Sequence, residues 1–438
     1  MRDYGRRRWV RLSSFGVFVV VGLCFSDIAY GQVGLGLPAT RDDDVRGVRY
    51  KGMVFVPYLG IEGGYNSNLF RLAPEDERGV VGAGILGIMP GLKLTNETPN
   101  IVKMEWEASG TIYKYFSDDA KAREQGTFGA SSGLRAEFLP KSAIGFFIAD
   151  QFSRQIVPSN YPGVVTFDRN INHAEVGLQI RPGGGGLVIA PSYAFNFALY
   201  DDKTELDVWG HEARLLTTWD VLPKTMVFLD IDWQAKDWRK DLVGAREDLK
   251  PLMIVVGMKG FITRKLAITA SGGFAKTFFK DGAEYTGFVA DIGIGVKPTG
   301  YSFAEVGYKR TVEEWYWGNY VATDRAYLTA GLQLLRRVNL LASLQYGYQR
   351  YGSVDTTKLS NDPKVTYSTN QSARHDHMLE ASASVSWSIM RYVSVETGYS
   401  FLGAFTDFYL QRTAGSDTIT DYGRFKQHVV FARVKAIY

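Results

Sequence analysis

The stretch "VKMEWEASGTIYKYF", Val102 to Phe116, sorts by parity. Val102, Met104, Trp106, Ala108, Gly110 and Ile112 form one set; Lys103, Glu105, Glu107, Ser109, Thr111 and Tyr113 form the other. Successive side chains of a strand point to opposite faces, so this is a ribbon with one apolar and one charged face. The apolar face must meet either a protein core or lipid. "KTMVFLDIDWQAK", "YTGFVADIGIGVK" and "HMLEASASVSWSIM" repeat the pattern, the last with a ladder of Ser382, Ser384, Ser386 and Ser388. About 18 such segments (16–18) fit between Met53 and Tyr438.

The connections decide between core and lipid. Tight ones ("NETP", "LPKS", "RPGGGG", "VLPKT", "ITRK", "KPTG", "LRRV", "IMRY") alternate with longer polar ones such as Ser67–Ala83, Gln155–Ile171, Arg350–Arg374 and Ala404–Gly423. Pro stands in several tight turns, where its fixed φ helps and its missing donor is harmless. Short turns at one end and long loops at the other predict an all-β transmembrane antiparallel up-and-down barrel. Its short turns would be periplasmic and its long loops extracellular. Closure satisfies every backbone amide where no water is available. A soluble sandwich predicts no such alternation of loop lengths.

Parity then assigns Lys103, Glu105, Glu107, Arg135, Glu137, Asp150, Arg154, Asp230, Asp232, Lys236, Glu305 and Lys309 to the lumen as pore-lining candidates. Mixed charge on opposing walls sets a transverse field that biases ion choice. Gln155–Ile171, with Pro158 and Pro162, is the expected constriction loop. Aromatics gathered where strands enter loops, as in "YKYF" and "EEWYWGNY", are expected to form an interfacial girdle.

At the start, Arg2, Arg6, Arg7, Arg8 and Arg11 precede an apolar run from Phe15 to Phe25, and Ala29 and Gly31 supply small residues before Gln32. That is the layout of a cleaved signal peptide over 1–31. A periplasmic lead, 32–52, and a barrel, 53–438, would follow. The lead is too short for a transporter plug. Cys24 is the only cysteine, so the mature chain would hold no disulfide or thiolate metal site. The chain has 50 Lys+Arg and 46 Asp+Glu; without five arginines, Asp3 and Asp27 it has 45 and 44, which gives no case for nucleic acid.

The final residues, "HVVFARVKAIY", place Val430, Ala432, Val434, Ala436 and Tyr438 on one face. They resemble the C-terminal strand signal that outer-membrane barrels present to the barrel-assembly machinery, with Tyr438 as its aromatic end. "GIEGGYNSNLFR", Gly60–Arg71, carries Gly64, Tyr65, Asn66, Asn68, Phe70 and Arg71 in the order "GY-D/N-x-N-h-F/Y-R". It resembles the opening strand of the β-barrel porin 2 family of outer-membrane proteins. The resemblance implies the location; some members of that family are linked to exopolysaccharide systems.

No enzyme and no cofactor are expected. The five histidines, His173, His211, His375, His377 and His428, include the pair in "RHDHM", but no third ligand lies near and no nucleophile elbow or H-E-x-x-H occurs. His375 and His377 are read as solvated loop residues, and His211 as a rim or lumen residue. The expected function is a porin-like channel for passive diffusion of small hydrophilic solutes across the outer membrane of a Gram-negative envelope. The alternative is an accessory barrel for exopolysaccharide export or anchoring. Expected partners are outer-membrane lipid and lipopolysaccharide, the assembly machinery and the solutes, with room for a homo-oligomer.

Overall fold

Alternation of residue type becomes alternation of faces in the computed structural model. It describes residues 47–96, 101–125, 128–155, 168–201, 207–238, 248–279, 284–315, 320–353, 356 and 364–438. The strands in chain order begin with β1 (Val48–Tyr50), β2 (Met53–Asn66), β3 (Ala83–Asn96), β4 (Val102–Phe116), β5 (Phe128–Phe138), β6 (Ile144–Gln155), β7 (Arg169–Ile180) and β8 (Leu187–Tyr200). Next come β9 (Val208–Leu222), β10 (Thr225–Trp238), β11 (Leu249–Phe261), β12 (Leu266–Phe279), β13 (Tyr285–Thr299), β14 (Ser302–Glu314), β15 (Tyr320–Leu334) and β16 (Val338–Tyr351). The last are β17 (Val365–Thr369), β18 (His375–Met390), β19 (Val393–Phe405), β20 (Tyr409–Ala414), β21 (Asp417–Tyr422) and β22 (Phe425–Ile437). One short helix, α1 (Ala120–Arg123), sits between β4 and β5, capped by the Asp119 side chain.

Eighteen strands, β2–β16 with β18, β19 and β22, form one closed antiparallel barrel. Each pairs with its chain neighbour, and β22 completes the ring by pairing with both β19 and β2. Two further details lie outside the parity pattern. The end of the lead segment, Val48–Tyr50, adds a short strand beside Met53–Phe55. Segments read from sequence as plain loops hold β17, β20 and β21, which pair into a separate three-stranded sheet.

Register fixes which residues share a face. Val102, Met104 and Trp106 stand opposite Phe138, Ala136 and Leu134; Lys103 and Glu105 stand opposite Glu137 and Arg135. The exposed large apolar side chains follow the first set around the ring: Ile88, Ile112, Ile148, Val176, Val256, Ile292, Val306, Leu328, Val385 and Val434. The exterior of the barrel is therefore apolar and its interior polar, the reverse of a water-soluble domain.

The turn end is compact. Thr225 opposes Gly260 at a bulge in β10, and Gly260 has φ +156 with Lys224 O only 2.2 Å from where a Cβ would lie, so no other residue fits. The β15–β16 turn is closed by Arg337 N donating to Leu334 O at 3.1 Å, with Leu335 at φ 51 and Arg336 at φ 57. A turn with positive φ at both central positions favours Asn or Gly there. Leu335 is also 91% exposed. Leu335→Asn should therefore stabilise the barrel by about 0.5–1 kcal/mol, read as a higher temperature for the band shift of unboiled protein on a denaturing gel.

Candidate functional site

The interior wall is the candidate site, and paired charges build it. On β4 and β5, Lys103 Nζ lies 3.3 Å from Glu105 and Arg135 Nε donates to Glu137 at 2.9 Å. The Arg135 guanidinium also lies over the Phe147 ring at 4.5 Å. Tyr58 donates to Glu107 at 3.2 Å. On β9 and β10, Arg214 grips Asp230 through Nε at 2.8 Å and Nη2 at 2.9 Å, and Asp232 faces Arg214 in register. Lys236 contacts Glu314. On β13–β15, Asp291 opposes Lys309, and Glu305 accepts from Tyr327 at 3.2 Å. At the closing seam Arg433 Nε donates to Glu62 at 2.9 Å and Nη1 lies 3.6 Å from Glu396.

Ten of the twelve residues picked from sequence thus lie on interior rows: Lys103, Glu105, Glu107, Arg135, Glu137, Asp230, Asp232, Lys236, Glu305 and Lys309. Asp150 and Arg154 do not. In β6, Arg135 opposes Ala149 and Glu137 opposes Phe147, so Phe147 and Ala149 point inward. Asp150 and Arg154 continue the exterior row of Ile144, Phe146 and Ile148. They are held there by exterior partners. Asn172 donates to Asp150 at 2.9 Å, and Arg154 donates to Asp201 at 2.6 Å and Asn170 at 3.3 Å.

The interior narrows at its loop end through a segment that sequence reading left out. The first long loop, 67–82, turns back onto the inner wall. Leu69, Phe70 and Leu72 pack with Ala83, Tyr115 and Ala122. Asn68, 1% exposed, ties the turn: Nδ2 donates to Leu72 O at 2.7 Å and Lys426 O at 3.0 Å, and Oδ1 accepts from Leu72 N at 3.0 Å. Arg71, at φ 54, donates from Nε to Gln427 at 3.3 Å. Burial lowers the Arg71 guanidinium to about 10, against the pull of Glu380, so it stays charged at neutral pH. These are the residues of the "GYNSNLFR" motif. The expected constriction, Gln155–Ile171, lies mostly outside the described residues.

Two ion-pair clusters bind the loops to each other. Arg78 bridges Asp76 at 2.6 Å and Asp421 of β21 at 2.5 Å, and Arg424 donates to Glu75 at 3.2 Å. Arg374, 4% exposed at its side chain, donates to both oxygens of Asp376 at 2.9 Å and is enclosed by the rings of Tyr351 (4.6 Å), Phe408 (5.4 Å) and Trp315 (5.8 Å). Apolar residues inside a supposedly solvated loop, "NLFRL", were the signal available for this cap.

The histidines fall mostly outside. His375 and His377 open β18 on its exterior row rather than ending a loop, each beside a tyrosine hydroxyl: Tyr348 at 3.3 Å and Tyr346 at 2.6 Å. His211 and His428 are exterior too, 2.6 Å from Tyr193 and 2.8 Å from Tyr399. His173 is interior, against Asn196. Among the described residues no three His, Cys, Asp or Glu side chains gather as metal ligands.

No family model and no curated protein matches this chain. Among solved structures it is similar to the outer membrane protein OpdK of Pseudomonas aeruginosa, at 10% identity and a TM-score of 0.47, covering 88% of this chain and 99% of that one. OpdQ of the same organism gives 9% and 0.43, over 88% and 97%. The siderophore receptor PirA gives 9% and 0.41, over 87% and 80%. At that distance no function is carried over from them.

The loop lock makes the mouth sensitive to acid. Burial pushes the Asp76 carboxyl up, but hydrogen bonds from the Arg78 side chain and backbone outweigh it and hold it below the ordinary value near 3.9. A depressed carboxylate stabilises the fold above its unfolded value and loses that contribution as pH falls through the folded one. Hydrogen-exchange protection of the amides between Asn68 and Gly79, corrected for intrinsic rates, should hold from pH 7 to 5 and drop below about pH 4. Asp421→Asn should lower it about tenfold at neutral pH, as expected for a lost charge-assisted hydrogen bond.

Proposed function

We propose that the chain spans the outer membrane as a porin-like channel for passive diffusion of small hydrophilic solutes. The observation that carries this is the two-faced wall. The exterior rows of the turn-side half hold no charged side chain among the described residues, while the interior rows hold charges of both signs, many of them paired. Such a surface is soluble only in lipid, and such an interior only in water. On β22 the exterior row from Tyr438 to His428 covers ten positions, about 25 Å along the barrel axis at a tilt near 40°, which matches an apolar belt between two girdles.

Eighteen strands enclose more space than side chains fill, so an aqueous path remains. The infolded first loop narrows it at the loop end. Alternating Lys, Arg and carboxylate rows give solutes hydrogen-bonding partners of both signs and no strong bias toward one charge. Tyr438, two-thirds exposed beside Tyr392, stays accessible as the assembly signal. The chemistry is passage, with no bond made or broken.

Purified protein should give stepwise conductance in a planar bilayer. Lys103→Glu with Arg135→Glu should shift selectivity toward cations by about two- to tenfold, whereas Arg154→Glu, on the exterior, should leave it unchanged. A folded, heat-modifiable barrel that never conducts would overturn the channel.

Orientation is tested separately. In a cysteine-free mature chain, Ser416→Cys, in the β20–β21 hairpin, should react with an impermeant maleimide on intact cells. Lys224→Cys, in the β9–β10 turn, should react only after lysis. The reverse pattern would invert the topology.

A further inference from the structure

The exterior rows carry charge only toward the loops, and one sector carries more than its neighbours. Arg310 and Arg350 flank Asp324, each at 3.3 Å, so two guanidiniums share one carboxylate. Nε of each arginine is buried without a hydrogen-bond partner among the described residues, while each side chain stays part-exposed, at 27% and 40%. Lys426, exposed on the exterior row of β22, lies two positions from His428. Between them stands a repeated arrangement. Tyr346 and Tyr348 on β16 flank His377, and Tyr399 and Phe401 on β19 flank His428. In each, the first ring lies 6.0 or 6.1 Å from the imidazole at 28° or 33°, and the second lies 5.2 or 5.0 Å away. Nδ1 of each histidine is engaged by the tyrosine hydroxyl, which leaves Nε2 turned to the surroundings. A third copy, Tyr193 and Phe195 with His211, lies far round the ring.

Below this row, on the same exterior face, lies an apolar groove of about 590 Å³. Ala330, Ala342 and Ala383 form its floor because they sit side by side in register, and Leu340 and Val385 rise along it. Tyr399 lines the groove and also belongs to the bracket around His428, so the polar and apolar parts are continuous.

We propose that this sector, β14 to β22, binds one phosphorylated glycolipid of the outer leaflet. An acyl chain lies in the alanine-floored groove. The sugar rests its C–H faces on the Tyr346, Tyr348, Tyr399 and Phe401 rings, and the phosphates meet Arg310, Arg350, Lys426 and the free Nε2 atoms. Planar guanidiniums suit phosphate oxygens, and several cations spread over six strands suit a headgroup with more than one phosphate. Charge complementarity selects this occupant over a second copy of the chain. A two-fold contact through this face would set Arg310, Arg350 and Lys426 against their own like charges. The proposal rests on the membrane-spanning reading above.

The test is native mass spectrometry of the detergent-solubilised barrel titrated with a bisphosphorylated, multiply acylated glucosamine disaccharide. Its dephosphorylated form and phosphatidylcholine serve as the comparison probes. Wild type should retain one bisphosphorylated molecule and neither comparison lipid at the same concentration. Arg310→Gln with Arg350→Gln and Lys426→Gln should weaken retention about a hundredfold. Ala342→Phe with Ala383→Phe should do so by filling the groove. Both variants should keep wild-type heat-modifiability and insertion into phosphatidylcholine vesicles. Equal retention by wild type and both variants, equal retention of the dephosphorylated lipid, or a dimer that replaces the lipid would overturn the site and leave the spanning barrel standing. A wild-type chain that does not insert into vesicles would overturn both.

Discussion

The pairing of β22 with β2 is the contact on which the other features depend. An open sheet of this size would leave two edges of unpaired amides and carbonyls, each expensive wherever water is excluded. Tyr58 to Asn66 opposite Ile437 to Val429 removes both edges at once. The same register puts Glu62 beside Arg433 inside and Ile61 beside Val434 outside. A slip of one residue would exchange those faces around the seam, so the polarity of the wall itself guards the register.

Once closed, the ring turns the polar half of each ribbon into one continuous interior. Charges there are rarely alone. Arg433 serves two carboxylates, Arg214 holds Asp230 with two nitrogens, and Arg135 is shared between Glu137 and the Phe147 ring. Such pairs keep the wall polar without a large net field. At the loop end the logic changes from pairs on a wall to knots between segments. Asn68, Arg78 and Arg374 each join pieces distant in sequence and rigidify the mouth.

Much of this was legible from residue order. The strand period and the alternation of turn and loop lengths are direct consequences of backbone geometry, and they yielded both the ring and ten interior positions. β6 was misread because the rule "charge inward" fails there. Phe146 and Phe147 are adjacent, so "IGFFIADQFSRQ" has apolar residues at both parities. Only Arg135 above Phe147, and Asn172 beside Asp150, decide the choice, and both partners come from other strands. The first loop was passed over for a related reason. Its apolar residues find their partners on β3, β4 and α1, and Asn68 and Arg71 find theirs on β22, contacts that no local period encodes. In the separate sheet β20 and β21 form a hairpin, but β17 pairs with β20 from about forty to fifty residues away, beyond the reach of a hairpin rule.

The uneven distribution of exterior charge also bears on how deep the barrel can sit. Lys114, Lys250, Lys276 and Arg310 all stand on exterior rows of the loop-side half. A cation drawn to the bilayer midplane costs about 2–4 kcal/mol. Sliding the barrel toward its turn end would pull these cations into the hydrocarbon, whereas the turn-side exterior rows hold no charged side chain among the described residues. In a bilayer these cations therefore act as a depth stop, keeping the loop end at the headgroups and the uncharged rows in the hydrocarbon.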